Sequence, residues 1–162
     1  MRELTTDALI RLTAIALERI AFLMAEPADP PSGGDLASRL APPLPAASCY
    51  ARIDYRGPER GEVVLAASDG FAQKLAAGLL GVDTDSPDAA SAGRDALREL
   101  ANIIGGSLIC ELGGARCPFS IGLPTGCDAS AVPTSPTAVA TLDVEGERLE
   151  VHWTRTAIAQ AA

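Results

Sequence analysis

Residues Asp95–Gly106, DALRELANIIGG, decide how the rest of the chain is read. At about 100° per residue, Asp95, Glu99, Asn102 and Gly106 fall within a stripe roughly 60° wide. Leu97, Leu100, Ala101, Ile104 and Leu108 point the opposite way. The stretch is an amphipathic helix whose apolar face needs another layer to cover it. Its polar side is costly: Asn competes for backbone hydrogen bonds in mid-helix, and each of Gly105 and Gly106 costs roughly 1 kcal/mol in a helix interior. A solvated face, with Asp95 near a helix N-terminus and favoured by its dipole, is the plainer reading. The sharper one is a smooth, amide-bearing surface that another molecule approaches.

Outward from this helix the hydrophobic period alternates between helical and extended. Thr6–Glu26 repeats apolar residues at helical spacing (Leu9, Leu12, Ala16, Ile20, Leu23, Met24), with Thr6 or Asp7 to cap it and Glu26-Pro27 to end it. Pro27–Ala47 is a long Pro/Gly/Ser-rich loop, with a short helical turn predicted at Leu36–Leu40. Tyr50–Arg56 then alternates with period two, and Gly57–Gly61 turns the chain into Glu62–Ala67, a hairpin. Ser68-Asp69 caps a helix over Gly70–Leu80 that Gly81 closes, and Thr84–Ser91 reads as a polar loop. Beyond the long helix, extended segments are expected at Pro118–Leu123, Ala138–Val144 and Arg148–Thr154, with Thr125–Pro136 a loop. Glu145-Gly146 turns the last pair into a hairpin with Leu149, Val151 and Trp153 on one face. The expected fold is α/β (α+β), one domain over 1–162, with helices packed on one face of an antiparallel or mixed sheet. A faint repeat runs through it, each half starting with an amphipathic helix and continuing into strands.

A length of 162 residues suits one domain. The net charge of −8 argues against nucleic acid or an anionic membrane as the main partner. Met1–Asp7 mixes charges, no cleavage site follows an apolar run, and no run reaches the ~20 residues that span a bilayer, so a cytoplasmic location is expected. Cys49, Cys110, Cys117 and Cys127 form no CxxC pair and read as buried reduced thiols; with one histidine, His152, a Cys/His metal site is not supported. His152 reads as a surface residue without an acid or nucleophile partner. Asp83, Asp85 and Asp88 lack a calcium-loop pattern, and the glycines after Gly105 lack the Lys-Ser/Thr of a phosphate-binding loop.

Asp95-x3-Glu99-x2-Asn102, followed 22 positions later by Pro124, resembles the signature of the CheC/CheX/FliY family of chemotaxis phosphatases. ELANIIGG resembles the family's helix, Phe119–Pro124 (FSIGLP) the strand before its proline, and Ile20–Pro27 (IAFLMAEP) the end of its first helix. The first helix has no Glu-x2-Asn, since Glu18 is followed by Arg19, Ile20 and Ala21. One complete motif rather than two makes the chain most similar to the CheX branch. The resemblance implies dephosphorylation of a CheY-like response regulator, with no cofactor of the chain's own and Mg²⁺ in the partner receiver domain. It implies that Glu99 pairs with the regulator's active-site lysine and that Asn102 orients the attacking water. Asp95, Gly106 and Pro124 would support or dock, and the protein would be a homodimer. A non-catalytic adaptor for a receiver domain or flagellar-switch component is the alternative.

Overall fold

The computed structural model describes residues 4–28, 43–114 and 117–157. Helix α1 (Thr6–Ala21) is capped by Thr5, whose hydroxyl accepts from the Ala8 N–H. It ends earlier than the apolar spacing predicts. Phe22 takes a left-handed conformation (φ 57°) and its N–H returns to Glu18. Leu23 is then buried, and Ala25–Pro27 becomes strand β1. Sheet pairing has overridden helical periodicity there: β1 lies antiparallel to residues 142–144.

Strands β2 (Cys49–Arg56) and β3 (Glu59–Ala67) form the expected hairpin. Helix α2 (Asp69–Leu80) starts at a Ser68 cap and stops at left-handed Gly81, as expected. Helix α3 (Pro87–Gly113) starts inside the stretch read as a polar loop, with Ser86 as cap and Pro87 in the first turn, where its missing N–H costs nothing. Two short strands follow, β4 (Ser120–Ile121) and β5 (Thr125–Cys127). The first is shorter than the predicted Pro118–Leu123, and the second lies in the predicted loop, as does a 3₁₀ turn at Ala129–Ala131. Strands β6 (Ala138–Val144) and β7 (Glu147–Ala157) close the chain around Glu145 and Gly146, both at positive φ. The predicted turn at Leu36–Leu40, with most of the Pro27–Ala47 loop, lies outside the described residues.

The seven strands among the described residues form one sheet in the order β1-β6-β7-β3-β2-β4, with β5 also pairing to β2, and each of these pairings is antiparallel. The order gives the faint repeat a physical form. Each half supplies a helix, an edge strand and a hairpin, and each edge strand pairs with the hairpin of the other half: β1 with β6, and β4–β5 with β2. Strands β3 and β7 meet in the middle.

Alternation places Ala51, Ile53, Tyr55, Val63, Leu65, Val151 and Trp153 on the helix-covered face, all buried. The Trp153 indole N–H donates to the Tyr55 hydroxyl (2.9 Å), joining the two halves inside the core. Gly61 makes room for that bond, since a Cβ there would lie 2.5 Å from the hydroxyl. Burial pushes the Tyr55 pKa up to about 12. His152 is not the surface histidine expected; it is 8% exposed. Its Nε2 lies 3.0 Å from Glu150 Oε2, a partner that period-two geometry puts two residues away on the same face. The Glu150 carboxyl is accordingly held below its usual pKa, first by that hydrogen bond.

Candidate functional site

Helix α3 packs on β2 across its apolar face, with Leu97, Leu100, Ala101, Ile104 and Leu108 all essentially inaccessible. Its two flanks are treated differently. On one, Gly93 abuts Ala72 of α2 and Glu111 pairs with Arg11 of α1 at 3.5 Å. On the other, Gly105 abuts Ile53 of β2 and Ile121 of β4, and beyond that contact no helix follows among the described residues. Asp95, Glu99, Asn102 and Gly106 lie on the outer face of the helix, opposite its buried side, with Asn102 the nearest of them to this bare flank. Asp95 and Glu99 are exposed, and Asn102 and Gly106 half-buried.

The two glycines separate in role. A Cβ on Gly105 would sit 2.8 Å from Ile121 and 2.9 Å from Ile53, so this glycine lets helix and sheet approach. A Cβ on Gly106 would meet nothing within 4 Å, so its smoothness serves the outside of the molecule.

Asp95 forms an ion pair with Arg98, one turn along the same helix. It does not sit near the helix N-terminus: α3 begins at Pro87, and Asp88 holds the first turn. The dipole argument for Asp95 therefore lapses, because that effect fades within one turn. Neither Glu99 nor Asn102 has an internal hydrogen-bond or ion-pair partner among the described residues. A carboxylate and an amide stand one turn apart with their hydrogen-bonding capacity unspent.

Pro124 lies at the sheet edge, in a bulge between β4 and β5. Tyr55 pairs with Ile121 and Arg52 with Thr125, so Ile53 and Asp54 face three residues, Gly122, Leu123 and Pro124. One extra residue on the edge strand displaces the chain outward, at a place where proline's missing N–H is tolerated. Gly122 donates its N–H to the Asp54 carbonyl at 2.8 Å, and a Cβ there would strike the Asp54 carboxylate at 2.3 Å. Leu123, beside the proline, is 84% exposed. Motif spacing identifies Pro124 and passes over Leu123 and Arg98; the register shift is the signal for Leu123, and i,i+3 spacing from Asp95 the signal for Arg98.

A groove of about 450 Å³ lies on the far face of the sheet, among Asp54, Arg60, Glu62 and Thr154. Another, of about 510 Å³, lies along Asp83–Ser86. Neither includes a stripe residue. Among the described residues no group of three or more His, Cys, Asp or Glu could hold a metal ion, and no helix is long and apolar enough to cross a membrane. The thiols are not those expected: Cys49 is buried, Cys110 exposed, and Cys117 and Cys127 half-buried. Burial pushes the Cys49 thiol up to about 11, and desolvation also raises Cys110 and Cys127.

The family model of the chemotaxis phosphatase CheX matches residues 49–142, more than half of the chain. The chain belongs to the CheX family. Solved structures share the fold at low identity. CheX from Desulfovibrio desulfuricans aligns with TM-score 0.68 at 18% identity, covering 91% of this chain and 96% of that one. CheX from Vibrio vulnificus aligns with TM-score 0.68 at 14% identity, covering 91% and 96%. A complex of CheX with CheY, BeF₃ and Mg²⁺ from Borrelia burgdorferi aligns with TM-score 0.63 at 14% identity, covering 94% and 99%. No curated protein matches the chain.

Proposed function

We propose that this CheX-family protein hydrolyses the aspartyl phosphate of a CheY-like receiver domain, with Asn102 orienting the attacking water and Glu99 anchoring the partner. The observation that carries the reading is the placement of Glu99 and Asn102 without internal partners on the uncovered outer face of the helix, next to Gly106, which has open space around it. An outward-facing helix surface of this kind suits entry into a cleft of another protein. The related complex of CheX with CheY, BeF₃ and Mg²⁺ supports a partner of this kind.

The chemistry asks little of the chain itself. Water oxygen attacks phosphorus in line, the bond from phosphorus to the receiver's carboxylate oxygen breaks, and the water's proton passes to the released phosphate or to solvent. An amide is a poor base, yet it accepts one hydrogen bond from water and donates others, which fixes the water's direction. Positioning and electrostatics dominate phosphoryl transfer, and Mg²⁺ in the receiver would neutralise charge on the phosphoryl oxygens. Glu99 offers a carboxylate for a charge-assisted pair with a receiver lysine. Asp95, Gly106 and Pro124 are supporting groups on the same surface.

The test is phosphate release from receivers of the same organism, phosphorylated with acetyl phosphate. The protein should accelerate release and Asn102→Ala should abolish the acceleration. Binding to the receiver without acceleration would instead establish a non-catalytic adaptor, and unchanged release by Asn102→Ala would sink the assigned mechanism.

A further inference from the structure

We infer that Leu123 is a positioning residue, the apolar contact that seats the receiver so that Asn102 meets its phosphoryl group. The inference rests on the reading of Glu99 and Asn102 given above and names a contact that the motif does not contain.

The geometry begins with direction. Gly105 lies against Ile53, and farther along the helix Gly113 lies against Phe119, whose ring packs edge-on against Tyr55 farther along β2. Helix α3 and strand β2 therefore run the same way, and the antiparallel β4–β5 edge runs back along the helix. Ile121 sits under Gly105. Two residues of extended chain cover roughly 6.6 Å, about four residues of helix, which brings Leu123 to the level of Ala101 and Asn102.

The bulge then sets the side. Ile121 faces α3, so alternation from it turns Leu123 toward the helix side of the sheet. Thr125 pairs with Arg52, which faces away from the helices, so Pro124 before it also turns toward α3. The bulge thus places Leu123 and Pro124 on one side, beside the bare flank with Asn102. Three constraints hold this shape: the Gly122 N–H bond to Asp54, the lack of space for a Cβ on Gly122, and the fixed φ of Pro124. Leu123 is 84% exposed at the apex. A singly exposed leucine is ordinary; this one is singled out because a braced bulge holds it outward, level with an unpartnered amide. Its occupant is a receiver surface with an apolar recess beside the phosphorylated aspartate, continuous with the contact made by Glu99 and Asn102.

The experiment measures steady-state phosphate release against concentration of an acetyl phosphate-treated CheY-like receiver. Leu123→Ser should raise KM about tenfold while kcat stays within about twofold and the melting temperature is unchanged. Leu123→Met should restore most of the affinity. Loss of kcat at unchanged KM, or no change in either constant while Asn102→Ala is inactive, would overturn the role of Leu123 and leave the catalytic reading standing. A wild-type protein that accelerates no receiver would overturn the catalytic reading, and this inference with it.

Discussion

Helices α1 and α3 hold corresponding places in the two halves of the chain, yet they are built differently. Each covers its part of the sheet, and each precedes an edge strand that pairs with the other half's hairpin. Helix α1 does this with no glycine and no asparagine, exposing Arg11, Ile15, Glu18 and Arg19. Its edge strand pairs in one unbroken register. Helix α3 carries Asn102, Gly105 and Gly106 in its middle, and its edge strand is bulged. Covering a sheet therefore does not require what α3 contains. Of the departures, only Gly105 is explained from inside, by its contact with Ile53 and Ile121. Asn102 and Gly106 remain as costs that no internal contact offsets, and a costly residue without internal purpose points outward.

Replacing Asn102 breaks the comparison most sharply. Asn102→Ala should lower receiver dephosphorylation by about a hundredfold or more, because the proposed mechanism makes water positioning the chain's main contribution. Its melting temperature should hold or rise slightly, since the side chain has no internal partner to lose and alanine suits a helix interior better. The matching control on the other half, Glu18→Ala, should leave both rate and melting temperature unchanged. Equal losses from the two would mean that α3 has no special place in the activity.

Glu99→Ala should act through affinity. The half-saturating receiver concentration should rise about tenfold, with much of kcat regained at high receiver concentration, as befits loss of a charge-assisted contact to a partner. The effect should shrink at high salt, where exposed charges are screened. A fall in kcat at unchanged half-saturation would move Glu99 from anchoring to the chemical step.

How far such contrasts could be seen in the sequence depended on whether the cause was local. The caps of α2 at Ser68 and Gly81 and the apolar stripe of α3 are local, and the sequence shows them plainly. The end of α1 is not local: the apolar spacing continues through Leu23 and Met24, and pairing with β6 converts that stretch to strand. Three-residue β5 has too few positions to display a period and exists only because β2 offers an edge. Burial of His152 likewise depends on tertiary packing. At the site, residue types and spacing single out Glu99 and Asn102. Their exposure, and the bulge that presents Leu123, follow from which flank of α3 the other helices leave bare.

The adjacent glycines provide a smaller and cleaner contrast, read in stability. Gly105→Ala should destabilise by about 1–3 kcal/mol, because its methyl group would press on two isoleucines in a packed interface. Gly106→Ala meets open space and should stabilise by about 0.5–1 kcal/mol through helix propensity. Denaturant unfolding measures both. If Gly106→Ala is the more stable protein yet dephosphorylates the receiver more slowly, the missing side chain serves the partner's approach.

The smallest effect should come from Asp95, the motif residue with an internal partner. Its carboxylate is 73% exposed and pairs with Arg98, itself 45% exposed. Such i,i+3 pairs on a solvated helix contribute only about 0.2–0.5 kcal/mol. Asp95→Asn should therefore shift the unfolding midpoint barely, and change kcat and half-saturation by no more than about twofold. The pair also holds the Arg98 guanidinium next to Asp95 on the exposed surface beside the site. If Asp95→Asn instead raised the half-saturating receiver concentration strongly at unchanged stability, while Arg98→Gln did not, Asp95 would be a docking group in its own right. If both variants raised it equally, the pair would act as one unit that fixes charge beside Asn102, and α3 would differ from α1 in a whole charged surface rather than in one amide and its anchor.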